Sequence, residues 1–190
     1  TQPRKAQLDK AEREHLEDIV TKMRERVEAN VRYQLEEYDL GEEPDKDAFL
    51  NDEREDIVEA IELETVDGNY WDDGYEQYIT GVGYTIVNRL AALRCMEVRD
   101  FIDDEVTRFR EDGLTPAADR LVTEEYMLEE EAVLEAYQNA CDNLAEEIEI
   151  LFDRSSAYSL IDPDHDTFED LCVMLDEVPD EVWRADDVLG

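Results

Sequence analysis

The sequence predicts an all-α protein, a multi-helix bundle with long antiparallel helices and no substantial β-sheet. Three observations carry that expectation. Apolar residues recur at spacings of three and four over most of the 190 residues, which marks one face of a helix. Glycine (7) and proline (5) are scarce, as suits helices joined by few turns. No segment reads as a strand, and no internal repeat or low-complexity linker interrupts the pattern. The whole of 1–190 is expected to form a single helical domain.

The first helix is expected over about 5–38, with Leu16, Ile19, Val20, Met23, Val27, Val31, Leu35 and Tyr38 on one face. Gly41 and Pro44 stand where a terminator belongs. A second helix follows Asn51, with Asp52 and Glu53 in a first turn that favours acids, and Asp67-Gly68-Asn69 reads as the turn after it. The next helix, about 72–102, is apolar on most sides and so belongs in the middle of the fold. Thr115-Pro116 reads as an N-cap followed by proline at the first helical position. A long helix over about 123–152 is expected from the seam Leu134, Tyr137, Cys141, Leu144, Ile148 and Leu151. Short helices fill 166–190: Asp166 or Thr167 caps one carrying Phe168, Leu171, Cys172 and Leu175, and Asp186 or Asp187 caps another at the end. The chain begins with Thr and stops within that last element, so it reads as a domain excised from something longer.

Composition narrows the class. The formal net charge is -37, from 55 acidic and 18 basic residues, yet 42% of the chain is hydrophobic. That apolar content separates it from disordered acidic tails. Dense carboxylates have three readings: a halophile's hydrated surface, a mimic of DNA charge, or an acidic interaction module. Four lysines against fourteen arginines, with acids in every segment, favour the halophile. In ~1 M salt the Debye length is only about 3 Å, so such acidity does not by itself exclude contact with DNA. Residues 1–32 stand apart, with eight basic residues against seven acidic ones. Cys95, Cys141 and Cys172 form no CxxC pair and read as buried reduced thiols. With no signal peptide and no apolar run near ~20 residues, a cytoplasmic protein without a membrane span is expected.

Tyr84 to Glu97, YTIVNRLAALRCME, is the most informative stretch. Asn88, Arg89, Arg94 and Glu97 interrupt an otherwise apolar run, and an unpaired buried charge there would be costly. As structural groups they would bond to neighbouring helices and fix their register, with Arg94 and Glu97 on one face; Arg89 or Arg94 could instead reach DNA or an adjoining catalytic domain. The pattern resembles the NRL-x-ALR-x-ME helix in the N-terminal region of PglX-like adenine-specific DNA methyltransferases of BREX phage-defence systems, relatives of type IIG restriction–methylation enzymes. The likeness is specific at 84–97 and looser at 71–83 and 179–190. It implies a non-catalytic N-terminal domain, from a halophilic archaeon given the composition. The parent enzyme would bind S-adenosylmethionine and methylate adenine in duplex DNA. The partners implied are the rest of that enzyme, DNA through it, and other defence-system proteins.

No catalytic, cofactor or metal residue is expected within the chain itself. It has no Pro-Pro, so the aromatic-ended loop that holds a flipped adenine is missing. Gly81-Val82-Gly83 follows no strand and reads as close helix packing rather than a cofactor turn. Pro3, Leu8, Val20 and Pro44 stand two positions before the four lysines, which excludes the Asp/Glu-x-Lys nuclease motif. Asp162, Asp164 and Asp166 alternate like a calcium loop but lack its glycine and terminal glutamate, and His165 beside them is expected to be exposed. Arg4, Lys5, Lys10 and Arg13 could contact phosphates, although the interleaved Glu12, Glu14, Glu17 and Asp18 favour intrahelical pairing. A stand-alone acidic adaptor or DNA mimic is the competing function.

Overall fold

The computed structural model describes residues 7–65, 70–185 and 188. Among them are eight α-helices, a short 3-10 turn at Ala157–Ser159 and no strand, so the fold is all-α. The turn expected at Asp67-Gly68-Asn69 and the cap at Asp186 or Asp187 lie outside the described residues.

Helix α1 (Lys10–Glu37) starts at Asp9, whose carboxylate accepts from the Glu12 amide while Glu12 accepts from the Asp9 amide. Its apolar stripe from Leu16 to Leu35 is buried as the spacing required. Gly41 does not end it. Asp39 takes the left-handed conformation (φ 58°), and the Leu40 amide donates back to the Leu35 carbonyl. Helix α2 (Asp52–Glu64) is capped by Asn51 and buries Ile57, Val58, Ala60 and Ile61. Helix α3 (Trp71–Val98) is the centre of the bundle, with 18 of its 28 residues buried. It stops short of residue 102 because Asp100 (φ 60°) closes the same kind of turn, Phe101 donating to the Met96 carbonyl.

The expected helix over 123–152 is three pieces. Helix α4 (Pro116–Glu125) begins at Thr115, whose hydroxyl accepts from the Ala118 amide. Tyr126 then turns left-handed (φ 56°), and α5 (Glu129–Ala145) folds back on α4. The Leu144 carbonyl takes both the Glu147 and Ile148 amides, which ends α5 before α6 (Glu149–Phe152). Leu134, Tyr137, Cys141 and Leu144 keep their seam on α5, but a straight helix could not turn Ala118 and Leu121 onto that seam. The left-handed residue costs about 1–2 kcal/mol and folding back recovers that burial. Helix α7 (His165–Asp176) is capped by Asp164, two residues before the expected Asp166 and three before Thr167, and α8 (Asp180–Trp183) follows Pro179.

Contacts give the directions. Arg24 lies over Tyr84 and Arg32 pairs with Glu76, so α1 and α3 are antiparallel. His15 meets the Glu177 carbonyl and Asn30 bonds Asp164, so α1 and α7 are antiparallel too. Where α2 meets α3, a Cβ on Gly74 would lie 2.8 Å from the Ile61 carbonyl and 2.1 Å from the Thr65 methyl. Two turns further along the same face a Cβ on Gly81 would sit 2.3 Å from the Tyr158 ring. Small residues here serve close helix approach, as the sequence suggested for Gly81.

Candidate functional site

A cation placed in an apolar core must find acceptors at once, because its desolvation is not otherwise offset. Helix α3 carries two such cations. The Arg94 side chain is 0% exposed. Its Nε donates to Thr107 Oγ1 at 3.0 Å and its Nη2 to the Thr107 carbonyl at 3.0 Å. Nη1 lies 2.8 Å from Asp176 Oδ1, a charge contact whose N–H is not aimed along the line. Asp176 sits in the last turn of α7, where a carboxylate opposes the helix dipole and gains from a nearby cation.

Glu97, one turn along α3, is also fully enclosed and lies 3.9 Å from Arg94 Nε. Its Oε2 accepts from the Val106 amide at 2.6 Å and the Thr107 amide at 3.1 Å. The Thr107 hydroxyl donates to Oε1, so it relays between guanidinium and carboxylate. Burial pushes the Glu97 carboxyl up, while the Thr107 and Val106 donors and Arg94 hold it down. The network ties α3 to the segment at 106–107 and to α7.

Arg89 does the same work toward α6. Nε donates to the Leu151 carbonyl at 2.8 Å, and Nη2 reaches the Asp153 carbonyl at 2.9 Å and Ser159 Oγ at 2.8 Å. These carbonyls include the unsatisfied end of a helix, a natural seat for arginine. Asn88 departs from the expectation: it is exposed, at the mouth of a cleft with Thr85, Ser156 and Tyr158. Three of the four singled-out residues are therefore interior, and one faces solvent.

Partners of this network were invisible to periodicity. Thr107 and Asp176 carry no pattern of their own. Arg99, outside that network, was missed as well: it donates to the Arg184 and Ala185 carbonyls while Arg184 Nε returns a bond to the Val98 carbonyl. A signal did exist for Arg99, since it stands just past the end of α3.

The candidate phosphate contacts fare differently. Arg4 and Lys5 lie outside the described residues. Lys10 pairs with Glu14 within α1 at 3.8 Å, and Arg13 Nη2 donates to the Leu8 carbonyl at 3.4 Å. Farther along α1, Lys22 pairs with Asp18, and Arg26 with Asp170. Lys10, Arg13, Lys22 and Arg26 are thus engaged with acids or carbonyls of their own chain.

Among the described residues no group of three or more His, Cys, Asp or Glu is placed to hold a metal ion. Asp164 is a helix cap, and Asp162 accepts from Gln138 at 2.8 Å. His165 is not exposed as expected. It is largely covered, edge-on to Phe109 at 6.4 Å, because the cap at Asp164 turns the first residue of α7 inward. All three cysteines are free and buried. No helix among the described residues is long and apolar enough to cross a membrane. Comparison with protein-family models, curated proteins and solved structures finds no match.

Proposed function

We propose that this chain is the non-catalytic N-terminal helical domain of a PglX-like, S-adenosylmethionine-dependent, adenine-specific DNA methyltransferase in a phage-defence or restriction–modification system. One observation carries the reading: Arg89, Arg94 and Glu97, which bear the sequence resemblance, are interior ties from the central helix to three other parts of the bundle. A motif used this way specifies a rigid module. Its role is to brace the catalytic part and the DNA held there, and the methyl transfer belongs to residues elsewhere in the parent chain. Arg89 and Arg94 act inside the bundle, which leaves DNA contact to other groups.

The test is the reading frame of the gene followed by an assay. A frame continuing past the Gly190 codon into a cofactor-binding domain with an Asn-Pro-Pro-Tyr-type loop supports the proposal. Adenine methylation by that full-length protein should fall when the bundle is loosened by Arg94→Met. A stop codon at this point overturns it and leaves an acidic adaptor or DNA mimic, the reading that a net charge of -37 would then favour.

A further inference from the structure

Between α4, the C-terminal half of α5 and the segment after α3 lies an open cleft of about 440 Å³. Its floor is apolar, built from Val106, Leu121, Ala136, Ala140 and Leu144. Ala136 and Ala140 are one helical turn apart on α5, and their size leaves a trough in which the ridge of another helix can lie. Phe101 forms the lip and is 73% exposed, so a large aromatic face stands in water beside an unfilled groove. Aromatic residues in that position are typical anchors of recognition surfaces.

Charge selects the occupant. Asp103 and Asp104 rim one end of the cleft, and Arg120 on the wall is already bonded to Asp104 at 2.9 Å. Just past the lining residue Leu144, α5 terminates at Ala145 with no basic residue of its own in the last turn, followed by exposed Glu146 and Glu147. Leu144 stands one residue before that end, so the negative end of the α5 dipole and two carboxylates follow the cleft directly along the chain. A second copy of the chain is a poor occupant, since it brings another -37 and the same acidic rim.

We propose that this cleft docks a basic amphipathic helix of a partner protein, its apolar ridge seated on Ala136 and Ala140 and its Lys or Arg residues at the Asp103 and Glu146 ends. The proposal does not depend on the methyltransferase reading, since the cleft belongs to the bundle whichever parent carries it.

The probe is a fluorescein-labelled Leu/Lys amphipathic peptide of about 18 residues, long enough to span the trough at 1.5 Å per residue. A Leu/Glu peptide with the same apolar face is its control. Binding is read by anisotropy in ~1 M KCl, where the diffuse pull of an acidic protein on any basic peptide is screened beyond about 3 Å. Ala140→Trp fills the trough without changing charge and should weaken the Leu/Lys peptide at least about tenfold, or 1.4 kcal/mol. Val173→Trp, at an exposed site on α7, should leave it unchanged. Should Ala140→Trp lose its helical circular dichroism, the exposed rim variant Asn143→Trp takes its place, with the same loss expected. Equal affinity in the cleft and Val173 variants, equal binding of the Leu/Glu peptide, or a dimer of the unmodified chain in sedimentation would each overturn the proposal.

Discussion

Replacing Arg94 with methionine keeps most of the side-chain volume and removes the charge, which isolates the electrostatic part of the α3 network. Three consequences follow at once. The Thr107 carbonyl and hydroxyl lose their guanidinium donor, Asp176 loses its cation at the end of α7, and Glu97 is left as an enclosed carboxylate with no cation in its pocket. Breaking a buried pair by removing one partner costs about 3–5 kcal/mol, because the charge that remains stays desolvated. For a chain of this size a kilocalorie moves the melting temperature by roughly 2–4 °C, so a fall on the order of 10 °C is expected. Urea unfolding followed at 222 nm in concentrated KCl measures the free-energy penalty and a thermal scan the melting temperature, with Arg110→Met as the surface control. Arg110 is well exposed beside Asp112 and Asp119, and its loss should cost less than about 1 kcal/mol. The Arg94 penalty should also shrink as the pH falls. Burial raises the Glu97 carboxyl in the fold, and once it is protonated there is no enclosed anion for Arg94 to balance. A penalty below about 1 kcal/mol, or one equal to that of Arg110→Met, would refute the reasoning.

Asp100→Gly should stabilise the chain by about 1 kcal/mol in urea unfolding, because glycine takes a φ of 60° freely and an acid is removed from the negative end of α3. Gly74→Ala should destabilise by about 1–3 kcal/mol, since the new methyl meets the Ile61 carbonyl, which cannot swing aside. Burial lifts the Cys95 and Cys141 thiols to about 11 from an ordinary 9.0, so between those values the fold holds protons that the unfolded chain releases. Their contribution is complete below the lower value and is lost as pH rises through the upper one, and the pH dependence of the urea midpoint should flatten in Cys95→Ala/Cys141→Ala. Helicity at 222 nm should rise steeply with KCl as self-repulsion among 55 carboxylates is screened; full helicity in dilute buffer would contradict the halophile reading of the composition.

Elements with strong periodicity or caps were legible from the chain alone. The stripe of α1, the start of α2 after Asn51, the Thr115 cap and the central place of α3 follow from residue spacing and elementary hydrogen-bond needs. The enclosed charges Arg89, Arg94 and Glu97 were legible for the same reason, as anomalies in an apolar run. Helix ends were less so. Asp39, Asp100 and Tyr126 take left-handed turns without glycine, and nothing local marks them, because tertiary packing decides where the chain reverses. The partners of the charges were illegible as well. Thr107 lies ten residues beyond Glu97 on an irregular segment, and Asp176 on another helix, so only the fold brings them to α3. Asn88 misled because its neighbours share its sequence context but not its face; at its angular position α3 turns outward to the cleft beside Ser156.

The idea that α3 holds the bundle together through enclosed charges is tested most directly by hydrogen exchange at two amides, Val106 and Thr107. Both lie on a segment outside any helix and both donate to Glu97. The account predicts that they exchange only with global unfolding in the native chain and hundreds of times faster in Arg94→Met, an acceleration at least as large as that of the α1 amides between Met23 and Val31. If these two amides already exchange at the rate of an open loop in the unaltered protein, Glu97 is not holding that segment and the account fails.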